Sequence, residues 1–555
     1  MKYDRSIIYH FCLALAIILT ILLTLGIYYQ SSEKLMAAMF YGQISNPPTT
    51  LWLMENWMFQ LPIISFLSTK FNTVSIFGYW HISLITIATA LWIHLLYQVF
   101  YPIIYNIVLR TILVILLAIG IAGTSMVHVY YVRDAILIAS SSMFLYFFYY
   151  STKERVHFLF LIPFLYACTI RVSVVLLVVG LISITLLVHT RQLRKTFVLL
   201  KYFWAVSASI FLIAECYRAI TSNPAMKIEA RIEYAIYDRG ALKHKTEMKT
   251  KSDSIRYVAL SNYCLIMDSS KISLQYVKKF IDPKKYGNYW ISKDDIAHFI
   301  NNSFPLILEN KTYILLFYLM LLSILYKKPK HTAYTIILFN LTAWFIVFLI
   351  GCKLRVYPYF FEPWLSVIVG GSLYFSMVGI KSISSINKTL LIFISVVLAY
   401  IQITKMEKTA NEEKLYNITA YSYLNKIKNL AHHQTPLLWT SDESYLPSDL
   451  FARGDTEPLK YCLYMNWSYF FYFEWTRERF MQRLGFNPLD WKQMSKSIVN
   501  QKSKICIITS PEFASFLAEY LNVLYSANIS FVQAQPRNEI VVQNFVYQIK
   551  AKVNE

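Results

Sequence analysis

Runs of apolar residues too long for the core of a water-soluble domain dominate this sequence. Ile7 to Tyr28, Val74 to Phe100, Thr111 to Val129, His157 to His189 and Thr332 to Cys352 are largely apolar. Each is long enough to cross a hydrocarbon layer about 30 Å thick as a helix. Lipid supplies no partners for backbone N–H and C=O groups, so such runs must close their hydrogen bonds internally. The alternating pattern of a membrane barrel is absent. Only 15% of the residues are charged while 56% are hydrophobic, against about 25% charged in soluble chains. The sequence therefore predicts a polytopic α-helical membrane protein with about 11 transmembrane helices.

The net charge of +21 does not point to nucleic acid, because the basic residues are spread over loops that flank the apolar runs and over one long loop. Lysine and arginine on the cytoplasmic side orient a multi-pass chain. Lys2 and Arg5 place the N-terminus in the cytoplasm, and Arg110, Lys153, Arg155, Arg191, Arg194, Lys195, Lys201, Lys327, Lys328, Lys330, Lys381 and Lys388 mark later inner turns. The loops 30–73 and 221–310 then fall outside. His157 to His189 has inside-type charge at both ends and Arg171 in its middle, which predicts two short helices forming a hairpin turned near Arg171. The last span, Leu390 to Ile403, delivers the rest of the chain to the outer side. No internal repeat is evident, unlike the repeat-built transporters.

After residue 404 the apolar runs shorten (Pro436 to Thr440, Ile505 to Ser510, Glu539 to Tyr547) and helical patterns such as Glu512 to Leu524 lie between them. Strands alternating with helices predict a soluble α/β domain over 405–555, following a membrane domain over 1–404. The seven cysteines are scattered without CxxC or metal spacing. A disulfide between Cys462 and Cys506 is compatible with an oxidising compartment, but pairing does not follow from sequence.

Charged groups at membrane level are costly and usually have a task. In this topology they gather on the outer face. Glu33 and Glu55 are the acids of the first outer loop, Glu55 following Pro47, Pro48 and a stretch rich in Trp, Met and Phe that suits a helix lying in the interface. A partly desolvated carboxylate there is a candidate general base. Arg133 and Asp134 open a span, Arg171 sits at the hairpin turn, and Lys353 and Arg355 lie in a short outer turn. The arginine fork matches phosphate oxygens. Taken singly, each suits an interfacial anchor; together they suit a lipid-phosphate substrate. Asp294 and Asp295 read as a solvated acidic patch, and no metal-ligand cluster is evident.

These residues resemble the integral-membrane glycosyltransferases of the GT-C class, in the branch of protein mannosyltransferases and aminoarabinose transferases. The resemblance rests on Ser32-Glu33 early in the first outer loop, Asn46-Pro47-Pro48 with Leu51-Trp52, Arg133-Asp134 opening a span, Ile170-Arg171 at a hairpin, and Tyr359-Phe360-Phe361-Glu362-Pro363 late in the chain. It departs from the family where Ser32 replaces the usual catalytic Asp and Tyr359 an Arg, with Arg355 four positions upstream. The resemblance implies a GT-C-like fold and transfer of a sugar from a polyprenyl-phosphate carrier, without a cofactor, at the outer face of the cytoplasmic membrane. Glu33, then Glu55, is the implied base, and Arg133, Asp134, Arg171, Lys353 and Arg355 the implied substrate-binding set. The implied partners are the lipid-linked donor, membrane lipid and an unidentified acceptor. A scaffold that lost catalysis but serves envelope assembly is the alternative, and a transporter stands behind it.

Overall fold

The computed structural model describes residues 2–30, 60–71, 74–152, 155–190, 192–221, 250–263, 291–325, 329–353, 356–378, 385–431, 435–438, 446–451, 463–464, 474–488, 490–500, 505–533 and 545–551, with isolated positions between 236 and 281. Helix α1 (Lys2–Thr24) leads into a two-residue strand, β1 (Tyr28–Tyr29). A short helix α2 (Gln60–Lys70) precedes α3 (Ile76–Phe100) and α4 (Ile107–Val127), and β2 (His128–Val129) pairs in parallel with β1. Next come α5 (Tyr131–Ser151), α6 (Leu161–Thr190), α7 (Leu193–Thr221) and α8 (Lys251–Tyr263). Helices α9 (Lys293–Asn302), α10 (Phe304–Glu309), α11 (Lys311–Leu325), α12 (Lys330–Lys353), α13 (Pro358–Met377) and α14 (Ser385–Ala431) complete the helical part.

Among the described residues, eight helices are long and apolar enough to cross a membrane, or nine if the pair Asp295–Glu309 and Lys311–Leu322, bent by 66°, counts as one. This is a polytopic helical architecture. Its polarity is inverted relative to a soluble protein. Large apolar side chains such as Ile8, Leu23, Phe197, Leu212, Leu322 and Phe393 face outward, while His10, His81, His94, Arg110, Arg133 and Asp134 are buried. Some of the polar groups inside are satisfied close to home. Ser140, Ser141 and Ser142 each return a hydrogen bond to a carbonyl one turn back, which leaves no hydroxyl to be paired across the bundle. Asn106 caps α4 by accepting from the amides of Val108 and Leu109, two of the donors a helix start leaves orphaned.

Helix α6 reverses direction at Arg171, whose backbone is extended (φ −153°, ψ 82°). The contacts on either side demonstrate the reversal. Phe160, just before α6, stacks on Tyr149 near the end of α5, whereas the Arg171 guanidinium lies 6.0 Å from the ring of Tyr131 at the start of α5. His189, at the far end of α6, is back beside Phe375 and His331. The hairpin expected around Arg171 is thus formed.

Helix α13 runs through the middle of the bundle and is buried from Trp364 to Met377. Two adjacent glycines let it sit there. A Cβ on Gly370 would overlap the ring of Trp92 on α3, and a Cβ on Gly371 would meet Phe339 on α12 and Phe144 on α5. Without a hydrophobic drive between helices in lipid, such close approach through small residues is a main source of association.

Helix α14 is 47 residues long, about 70 Å at the helical rise, and it passes residue 404 without a break. It therefore projects from the bundle and carries the C-terminal region on its end. That region contributes β3 (Thr435–Leu438), β4 (Leu463–Tyr464), α15 (Glu474–Leu484), α16 (Trp491–Asn500), β5 (Ile505–Thr509), α17 (Pro511–Tyr525), β6 (Ile529–Gln533) and β7 (Phe545–Ala551). The five strands form one mixed sheet in the order β4-β3-β5-β7-β6, parallel between β4, β3 and β5 and antiparallel across β7. Ser510 caps α17 by accepting from the Phe513 amide, with Pro511 at the first helical position, where a missing N–H costs nothing. The loop between α7 and α9 belongs to this domain's core: Ile255, Ala259, Leu260, Val277 and Phe280 bury against the same cluster as Leu517, Tyr520 and Leu521.

Cys506 lies in the fully buried strand β5 as a free thiol, and Cys462 is outside the described residues. Burial pushes the Cys506 thiol up to about 12, so little thiolate exists at neutral pH. Alkylation at about pH 8 is expected to spare Cys506 in the folded protein and to label it after denaturation. Peptide mass spectrometry checks this; labelling of the folded protein would contradict the buried free thiol.

Candidate functional site

Several charged residues of the helical part meet where β1 and β2 lie, at the end of the bundle shared by the last turn of α4 and the first turns of α5 and α13. Helix α4 ends at Val127, with the His128 amide closing the last turn on the Thr124 carbonyl. Arg133, in the first turns of α5, reaches back to this end: its Nη1 donates to the carbonyls of His128 (3.0 Å) and Thr124 (3.3 Å). A cation at a helix C-terminus also faces the negative end of the peptide dipoles. The other end of the fork, Nη2, donates to Glu362 Oε2 on α13 at 2.6 Å. Arg133 is 1% exposed, so this carboxylate is its counter-charge in the interior.

Glu362 is shared. Its Oε1 accepts from Lys405 Nζ on α14 at 2.7 Å, and the same ammonium approaches Asn310 Oδ1 at 3.4 Å. Asn310 stands at the bend between α10 and α11. One carboxylate with two cations thus joins α5, α13, α14 and the bend. Lys405 differs from Arg133 in keeping a quarter of its side chain accessible. Beside this chain, His128 Nε2 pairs with Glu413 Oε1 of α14 at 2.8 Å. Asp134, fully buried next to Arg133, faces His81 Nδ1 of α3 at 3.7 Å. As an acid in the first turn of α5, Asp134 is also placed where the positive end of the helix favours it.

An aromatic row borders the charges. Tyr357 stacks on Tyr359 at 5.0 Å, Tyr359 on Tyr130 at 4.3 Å, and Tyr130 contacts Tyr131, whose ring faces Arg171. Tyr28 on β1 lies close to Asp449 and Glu413, and burial, then these two carboxylates, pushes its phenol up to about 12; it therefore stays protonated and donates to the Leu25 carbonyl.

Of the sequence-derived set, Arg133, Asp134 and Arg171 converge here. Lys353 is committed to Asp295, which it meets at 2.7 Å, and Asp295 also closes a capping box with Ser292 at the start of α9. Asp295 is therefore a helix cap with a counter-ion, in place of the solvated patch expected. Glu33, Glu55 and Arg355 lie outside the described residues. Sequence reasoning passed over Glu362, Lys405, His128, Glu413 and His81. Glu362 carried a signal, as a lone acid within an aromatic and apolar run, whereas His128 and Glu413 are 285 positions apart and nothing local links them. Among the described residues no group of three His, Cys, Asp or Glu is placed to hold a metal ion.

Chemically, the arrangement is a fixed electrostatic frame with one accessible ammonium. An anionic oxygen arriving at Lys405 would meet a donor already oriented by Glu362 and Asn310. No protein-family model matches this chain, and neither a curated protein nor a solved structure does.

Proposed function

We propose that the chain is a GT-C-type glycosyltransferase that moves a sugar from a polyprenyl-phosphate carrier to an acceptor at the outer face of the cytoplasmic membrane. The observation that carries this reading is the gathering of Arg133, Arg171 and Lys405 with Asp134 and Glu362, from four separate helices, at one end of an apolar bundle. A lipid phosphate needs that combination, because its chain stays in the bilayer while its anionic head meets donors at the rim. In this reading eleven segments cross the membrane: the eight long apolar helices, the bent pair, the buried α13 and the second arm of the Arg171 hairpin. The N-terminus is cytoplasmic and the sheet domain is outside.

The acceptor oxygen or nitrogen attacks the anomeric carbon as the bond from that carbon to the phosphate oxygen breaks. The acceptor's proton passes to Glu33, or to Glu55, and polyprenyl phosphate leaves. Lys405 and Arg171 stabilise the charge growing on the leaving phosphate, the largest electrostatic demand of the step. Arg355 is left from the sequence-derived set to hold the donor, since Lys353 is paired with Asp295. A second reading, a GT-C-like scaffold without catalysis that serves envelope assembly, is favoured by Ser32, which stands where the resembled family carries Asp.

The test is donor cleavage in liposomes over a panel of polyprenyl-phosphate sugars. Wild-type protein is expected to cleave at least one donor and Glu33→Gln to lose about 100-fold or more in rate, in keeping with the removal of a general base. Equal cleavage by both moves the base to Glu55. Failure of every donor with every acceptor tried gives the scaffold reading precedence.

A further inference from the structure

The chain between β3 and β4 does not stay with its sheet. Residues 446–451 return to the bundle and lie across the end that carries the site. Leu446, Ser448 and Leu450 are buried there. The Tyr29 amide donates to the Ser448 carbonyl at 2.7 Å, and Tyr28 forms an antiparallel bridge with Asp449, so the segment acts as a third strand on the β1–β2 pair. The Leu450 carbonyl accepts from the hydroxyls of Tyr29 (3.1 Å) and Ser75 (2.9 Å). Ser75 begins α3 and spends its hydroxyl on Leu450 instead of capping the helix. On the other flank, α14 holds the segment through Tyr416 on the Leu446 carbonyl (2.8 Å), Asn417 on the Ser448 amide (2.7 Å) and Tyr421 on the Asp449 carboxylate (2.6 Å).

We propose that residues 446–451 are a positioning strap that sets the orientation of Arg133. The connection is short and made of named bonds. The strap pairs with β1, β1 pairs with β2, and the His128 carbonyl in β2 accepts from Arg133 Nη1. His128 is in turn tied to Glu413 on α14, one turn before the residues that grip the strap. Strap, β1, β2 and α14 thus form a closed circuit around the guanidinium, and a displacement of the strap is passed to Arg133, Glu362 and Lys405. Through it the C-terminal sheet domain acts on the site from the same chain. Gly78 is the residue that admits the strap: a Cβ there would come within 2.5 Å of the Leu450 carbonyl oxygen, closer than real Cβ atoms approach a backbone oxygen. The assignment of the strap is independent of the glycosyltransferase reading; only its consequence for activity rests on that reading.

Hydrogen exchange on the full-length protein in nanodiscs tests the circuit. Gly78→Val is expected to speed exchange of the Tyr29 amide and of residues 128–129 by about tenfold or more while the middle of α3 stays protected. Tyr421→Phe, which deletes only the hydroxyl on Asp449, should give the same pattern more weakly and serves where the valine variant does not fold. Acceleration confined to Tyr29, or none, overturns the strap. Its consequence is read by the affinity for a polyprenyl phosphate, alone and with Arg133→Met. Gly78→Val is expected to weaken binding about tenfold in wild type, as for loss of one charged hydrogen bond, and not further in the Arg133→Met background. Additive losses overturn positioning through Arg133. If wild type does not bind the lipid, the glycosyltransferase reading fails and the exchange result still decides the strap.

Discussion

Glu362→Ala is expected to destabilise the folded protein by about 3–5 kcal/mol, the range for stripping a buried ion of its partner. The magnitude follows from Arg133, which is 1% exposed and whose only carboxylate hydrogen-bond partner among the described residues is Glu362 at 2.6 Å. Without that acid the guanidinium keeps its bonds to the Thr124 and His128 carbonyls but has no counter-charge on α13. Lys405 loses the same partner and suffers less, because its side chain is a quarter exposed and water can replace Glu362. Lys405→Met should therefore cost about 1 kcal/mol, nearer the range of partly exposed pairs. The double variant Arg133→Met with Glu362→Met removes both buried charges and should recover most of the loss. Equilibrium unfolding in mild detergent measures these three, together with the single variants Arg133→Met and Glu362→Met that the cycle requires. A cost below about 1 kcal/mol for Glu362→Ala, or additivity in the double variant, would show that the pair is not desolvated.

The second large effect is steric. Gly370→Val forces carbon into the ring of Trp92, a fully buried side chain on α3, and overpacking of this kind costs about 1–3 kcal/mol or more. The bundle has little room to yield, since Gly371, the next residue, has Phe339 and Phe144 against its other side. Gly180 supplies the contrast. It lies in the second arm of the Arg171 hairpin with nothing within 4 Å of a built Cβ, so Gly180→Ala should stabilise by up to about 1 kcal/mol through helix propensity. Thermal unfolding of the two variants side by side separates close approach from propensity. Equal effects of the two would refute the packing role assigned to Gly370.

Much of the architecture was legible before any coordinates. A run such as Thr111 to Val129 has one solution in lipid, because every amide must be paired within its own segment. Arg133 and Asp134 in the first turns of α5 and Arg171 facing the Tyr131 ring lie at one end of the bundle. The hairpin was readable because both ends of His157 to His189 carry inside-type charge and a single arginine interrupts it.

Tertiary structure alone decided who is paired with whom. Glu362 meets Arg133 across 229 positions, and Tyr29 meets Leu450 across 421; no local pattern encodes such partners. Lys353 looked free to hold a ligand and is instead bound to Asp295, while Lys405, which the sequence did not single out, carries the accessible charge of the network. The boundary expected at residue 404 falls inside a continuous helix, since a helix can leave the bilayer without any sequence break. Periodicity acts over one or two turns, so it determines the apolar spans. Counter-ions, glycine contacts and the strap depend on distances between segments, which the sequence order does not contain.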